Sequence, residues 1–85
     1  MEILYSPRFS RLFKKLDEAT KDLYREREAL FRENPFNPVL KTHKLHGKME
    51  PLWAFSLDYE LRAAFEFASE NVIWMQDIGD HDMYD

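Results

Sequence analysis

Lys41-Thr42-His43-Lys44-Leu45-His46-Gly47-Lys48 is the joint of the chain. Three lysines and two histidines fall within eight residues, and Pro38 and Pro51 bracket them. Upstream, apolar residues recur at helical spacing. Downstream they alternate at the period of a strand. The stretch therefore separates a helical half from a sheet half. It also holds the densest group of side chains able to act on a phosphate, since lysines hold one and histidine exchanges protons near neutral pH.

Reading back from the joint, Asn34-Pro35-Phe36-Asn37-Pro38 closes a helix, because two prolines within four residues cannot continue one. That helix is expected over about 19–33, with Ala19, Leu23 and Leu30 inward and Ala29 and Phe31 flanking them. Asp22, Arg25, Glu26, Arg27, Glu28 and Arg32 form its outer face. Asp17 and Thr20 are both potential caps, so a break is expected near 17–20. Ser6-Pro7 starts an earlier helix, with a hydroxyl cap followed by Pro at the first helical position. Phe9, Leu12, Phe13 and Leu16 then follow at i, i+3, i+4 and i+7. Arg8, Arg11, Lys14 and Lys15 lie largely off that face. Ile3-Leu4-Tyr5 suits a short edge strand.

Reading forward, Val39–Leu45 is expected to be extended and 46–51 to connect. Leu52–Asp58 places Trp53, Phe55 and Leu57 on one face and Ala54, Ser56 and Asp58 on the other. After a turn at 58–60, Leu61–Ala68 alternates Leu61, Ala63, Phe65 and Phe67 against Arg62, Ala64, Glu66 and Ala68. Residues 69–71 turn again, and Val72–Ile78 is apolar on both faces, as an interior strand is. The order β-α-α-β-β-β-β implies an α+β domain, residues 1–85, with a helical hairpin on one face of a mainly antiparallel sheet. Trp53, Phe55, Phe65, Phe67 and Trp74 are its expected core.

Composition narrows the function classes. The 85 residues include no Cys, which excludes a disulfide, a thiolate nucleophile and a Cys-based zinc site. Residues 1–48 carry eleven Lys/Arg against seven Asp/Glu, a balance of +4; residues 49–85 carry one against nine, a balance of −8. The net charge of −4 argues against indiscriminate nucleic-acid binding, while the basic half can still face phosphates. No stretch approaches the roughly 20 apolar residues of a membrane span, and Met1–Ser6 has no basic or long apolar run. A cytosolic protein that engages no membrane is the expectation.

Three features then line up in order: Lys41-Thr42-His43-Lys44-Leu45-His46-Gly47 leading into a strand; Trp53-x-Phe55-x-Leu57, a turn and Leu61-Arg62-Ala63-Ala64-Phe65; and Ile78-Gly79-x-His81-Asp82-x-Tyr84. Together they resemble the RelE/ParE superfamily of toxins from type II toxin–antitoxin pairs, closest to the RelE/StbE and YafQ-like branches. The resemblance implies a cognate antitoxin as partner. It also implies an endoribonuclease (an mRNA interferase) that cuts mRNA, commonly on the ribosome, with no cofactor. The branch that resembles ParE acts differently: it binds DNA gyrase and is not a nuclease, and a catalytically degenerate member is a further alternative. Carried over position by position, the catalytic pattern falls on Arg62, His81 and Tyr84, with His43 as in the YafQ-like set. Some members carry lysines on the strand that here reads Trp53-Ala54-Phe55-Ser56, so this chain lacks that charge.

These residue types suit the chemistry. Cleavage without a metal needs a base for the 2′-OH, a cation on the non-bridging oxygens and an acid for the leaving 5′-oxygen. Histidine, with an ordinary pKa of about 6.5, serves the first and last roles, and arginine binds phosphate through its planar fork. His43, Arg62 and His81 form that set, and Tyr84 can stack on a base or donate a proton. Lys41, Lys44 and Lys48 suit an RNA backbone. His46, three residues from His43 on extended chain, belongs to the other face and reads as a turn residue. Arg62 has a plainer alternative in a salt bridge to Asp58 or Glu60. Carboxylates at Asp77, Asp80, Asp82 and Asp85 would keep His81 charged, which suits an acid. The same cluster lacks the spacing of a calcium loop.

Overall fold

The computed structural model describes residues 1–47 and 51–80. Strand β1 (Glu2–Tyr5) leads into helices α1 (Pro7–Lys14) and α2 (Glu18–Glu33). A 3-10 turn (Pro38–Leu40) and strands β2 (His43–Lys44), β3 (Trp53–Ser56), β4 (Leu61–Ser69) and β5 (Val72–Asp80) follow. The sheet order is β1-β5-β4-β3-β2; β1 runs parallel to β5, and the other pairs are antiparallel. This is the expected α+β arrangement.

Local chemistry sets the boundaries. The Ser6 hydroxyl accepts from the Phe9 amide at 3.0 Å and donates to the Gln76 carbonyl, so one side chain caps α1 and ties it to β5. The Asp17 carboxylate accepts from the Thr20 amide at 2.8 Å and starts α2. Asp17, not Thr20, is the cap. After α2 the chain departs from expectation. Residues 38–40 are not extended: the Asn37 side chain accepts from the Val39 amide and begins a 3-10 turn. Lys41 then takes a left-handed conformation (φ 51°), and only His43 and Lys44 pair as strand.

The core lies between the helices and one face of the sheet. Phe31 on α2 meets Phe55 on β3 and Phe65 on β4, each at 4.9 Å between ring centroids, and all three are fully buried. Ile3, Phe9, Tyr24, Ile73, Met75 and Ile78 complete that layer. Leu23 and Leu30 of α2 pack against this core as expected, but the centre of its inward face does not include Ala19. Tyr24 and Phe31 are buried, Ala19 is exposed, and Arg27 is half-buried. Tyr24, Arg27 and Phe31 share a stripe at i, i+3 and i+7, which a count of aliphatic residues alone does not register. Trp74 also departs from expectation. It is 41% exposed opposite an exposed Leu4, because no helix covers that face of β1 and β5. Phe67 is 37% exposed and packs with Phe36 and Trp53 at the sheet margin.

Candidate functional site

The register of the sheet decides which candidate residues meet. His43 lies opposite Ala54, which lies opposite Ala64, which lies opposite Asp77. Two residues along β3, Ser56 lies opposite Arg62, and Arg62 opposite Gly79. Directly opposed residues share a face, as do residues two apart on one strand. His43, Ala54, Ser56, Ala64 and Arg62 therefore share the face away from the helices. Lys44 lies opposite Trp53 and faces the other way. The structure thus brings His43 and Arg62 to one face and keeps Lys44 off it. His46 is exposed beyond the end of β2. Lys48, His81 and Tyr84 lie outside the described residues.

His43 is held by its own chain. Its ring is exposed, and Nδ1 stands 3.0 Å from the Lys41 carbonyl. A carbonyl can only accept, so Nδ1 carries the proton in this bond. In the neutral ring that leaves the lone pair on Nε2, the form a general base requires. The Lys41 carbonyl is placed by that residue's left-handed backbone, a conformation that costs a non-glycine residue roughly 1–2 kcal/mol. The Thr42 hydroxyl donates to the Pro35 carbonyl and ties the segment to the end of the helical hairpin.

Arg62 is held by the β3–β4 turn, not by the expected carboxylates. One Asp58 side-chain oxygen accepts from the Glu60 and Leu61 amides at 2.9 and 2.8 Å, which commits that carboxylate to the turn. The Arg62 guanidinium donates through Nη1 to the Asp58 carbonyl at 3.1 Å and to the Leu61 carbonyl at 3.3 Å. Among the described residues it has no carboxylate within ion-pair distance. Its charge is positioned but not neutralised.

A cleft of about 360 Å³ opens beside it, lined in part by Arg27, Lys41, Ser56, Asp58, Tyr59 and Arg62. Three cations face one carboxylate there. Arg27 and Ser56 were not among the residues expected from the sequence. Arg27 reaches the cleft from α2, with Nε donating to the Leu57 carbonyl at 2.9 Å. The Ser56 hydroxyl oxygen is buried and has no hydrogen-bond partner among the described residues. Of the acidic group near the tail, Asp77 pairs with Arg8 at 3.2 Å and also accepts from the Ile78 amide.

No family model and no curated protein matches the chain by sequence. Solved structures do match. A YoeB/ParE toxin from Agrobacterium tumefaciens superposes with a TM-score of 0.79 at 14% identity, over 95% of this chain and 99% of that one. YafQ from E. coli strain BL21(DE3) gives 0.78 at 17% identity, over 96% and 94%. The heterotetrameric YoeB–YefM toxin–antitoxin complex from Staphylococcus aureus gives 0.76 at 18% identity, over 95% and 97%. The chain has the RelE/ParE toxin fold. In this RelE/ParE fold the small residues Ala54, Ser56 and Ala64 are buried on the face away from the helices, which they share with the exposed His43 and with Arg62. No helix among the described residues is long and apolar enough to cross a membrane.

Proposed function

We propose that the chain is the toxin of a toxin–antitoxin pair and a metal-independent endoribonuclease that cuts mRNA on the ribosome in the cytoplasm. The observation that carries this reading is an Arg62 with no carboxylate within ion-pair distance among the described residues, on the same sheet face as a His43 whose Nε2 is left as the acceptor. In the reaction His43 takes the proton of a ribose 2′-OH. The 2′-oxygen attacks the adjacent phosphorus, and the bond to the 5′-oxygen breaks, leaving a 2′,3′-cyclic phosphate. Arg62 binds the non-bridging oxygens as their charge rises, where a fixed cation in place of mobile water contributes most. An acid must protonate the departing 5′-oxygen. We assign that role to His81, with Tyr84 stacking on a neighbouring base. Lys41 holds the RNA backbone, with Lys48 as a further backbone contact and Lys44 contributing outside the His43 face. An antitoxin partner is supported by the toxin–antitoxin complex that shares this fold.

A second reading, a ParE-like toxin that binds gyrase without cleaving RNA, draws on neutral Ala54 and Ser56 in the middle of that face. The test is expression in a bacterial host, with mRNA ends mapped. The nuclease reading expects growth arrest, new mRNA ends and relief of both by Arg62→Ala or His81→Ala. Arrest with intact mRNA selects the gyrase reading. Full toxicity in both variants removes the site assignment.

A further inference from the structure

We propose that Arg27 is a second phosphate-binding cation of this site, delivered from α2 to the cleft that Arg62 lines, beside a strand β3 that presents only Ala54 and Ser56 on the Arg62 face. The inference rests on the ribonuclease reading above and adds a residue to it. Leu57 and Asp58 are consecutive in the chain. Arg27 donates to the carbonyl of the first at 2.9 Å, and Arg62 to the carbonyl of the second at 3.1 Å. Two consecutive peptide units thus anchor the two guanidinium groups, and both line the same cleft with Lys41. Like charges gathered in this way repel one another, and they are favourable together only if an anion joins them. Asp58 makes no ion pair with either guanidinium among the described residues, and one of its oxygens accepts from two turn amides. The Glu26 partner of Arg27, at 3.2 Å, is well exposed and contributes little.

The wall of the cleft supports the same conclusion. Ser56, opposite Arg62 on β3, buries a hydroxyl oxygen with no partner among the described residues. Such a group costs free energy unless something bonds to it. Among the described residues Arg62 is held by neutral carbonyls alone, at 3.1–3.5 Å. A phosphate competes well for that guanidinium, because a charge-assisted bond is roughly twice as strong as a neutral one. When Arg62 turns to a phosphate, the hydroxyl beneath it gains an acceptor. The site is then a clamp: Arg62 from β4, Arg27 from α2 and Lys41 from the joint, with Ser56 below.

The experiment is binding of a 2′-O-methyl RNA oligonucleotide, which cannot be cleaved by 2′-oxygen attack, across a range of salt concentrations. Arg27→Gln is expected to weaken binding about 5–10-fold near physiological salt. It is also expected to flatten the slope of log K against log salt by about 0.7, the share of one phosphate contact on a single strand. Arg27→Lys restores the slope, which a purely structural role would not predict. Should Arg27→Gln fail to fold, the Nε–H resonance of Arg27 in the wild-type chain provides the second measurement, shifting saturably as the oligonucleotide is added. Unchanged affinity and slope in Arg27→Gln, a resonance that does not move, or no binding by the wild type would each overturn the proposal. So would a poly-glutamate peptide that binds with the same dependence on Arg27, since the site would then recognise carboxylates. Loss of binding in Arg27→Gln alongside no cleavage of ordinary RNA upholds the clamp and removes the nuclease reading. Cleavage with an unchanged salt slope does the reverse.

Discussion

The two faces of the sheet are built from the same strands and do opposite things. Toward the helices β3 and β4 present Trp53, Phe55, Ala63 and Phe65, and rings from α2 fill the space between them. Away from the helices the same strands present Ala54, Ser56, Ala64 and Arg62, and Leu45 and Leu52 pack against Ala54 and Ala64. Period-2 alternation produces both faces. Residue size then distinguishes them: large rings fill the face toward the helices, and small side chains line the other.

That comparison can be broken from the stable side first. Phe31→Ala empties the point where three rings meet and is expected to cost about 3–5 kcal/mol, enough to threaten a domain of this size. Thermal melting checks it; a loss below about 1 kcal/mol would mean that the helix face is not where stability resides. Leu45→Ala, in the small cluster on the other face, is expected to cost about 2 kcal/mol, the lower end for a buried leucine, because water can enter from that side. A larger loss than that of Phe31→Ala would erase the distinction between the faces. Ser56→Ala removes a buried hydroxyl that has no partner among the described residues and is expected to stabilise the fold by about 1 kcal/mol. A destabilisation would show that the hydroxyl has a bond in solution.

The smallest effect is a slope with pH. Burial and the Glu28 carboxylate that accepts its bond push the Tyr5 hydroxyl up to about 12. Burial pushes Tyr24 in the same direction, with Glu28 adding to it. The folded chain keeps these protons where the unfolded chain, with a tyrosine pKa of about 10, releases them. Their contribution is complete below pH 10 and declines as pH rises through the folded value. Denaturation midpoints measured between pH 9 and 11.5 should fall with a slope that Tyr5→Phe reduces; an unchanged slope would place the cause elsewhere.

Much of this fold was legible in the sequence because its signals are local. Ser6-Pro7 and Asp17 start helices through their own side chains, and Pro35 with Pro38 ends one. The alternation across 52–68 sets a hairpin without reference to the rest of the chain. The misreadings share a different physical origin. Tyr24 and Arg27 carry long apolar stems with polar tips, so aliphatic spacing finds Leu23 and Leu30 but points to Ala19 where Tyr24 is the buried residue. Strand β2 is short because Asn37 and Lys41 bend the chain through side-chain and left-handed geometry that apolar periodicity does not encode. Trp74 was expected to be buried because a run of apolar residues says nothing about which faces of a sheet are covered. For the site, His43 and Arg62 were legible as residue types. Their shared face needed the register, and Arg27 needed the packing of α2 against the β3–β4 turn.

The central claim is that the face away from the helices cuts RNA. The most direct test adds purified protein to translating ribosomes and maps the 5′ ends of the mRNA, with Arg62→Gln and His43→Ala alongside the wild type. The account predicts discrete cuts by the wild type and a loss of rate of about 100-fold or more in each variant, the usual cost of removing a general base or a transition-state cation. Cuts at the wild-type rate in both variants, or none by the wild type, would contradict it.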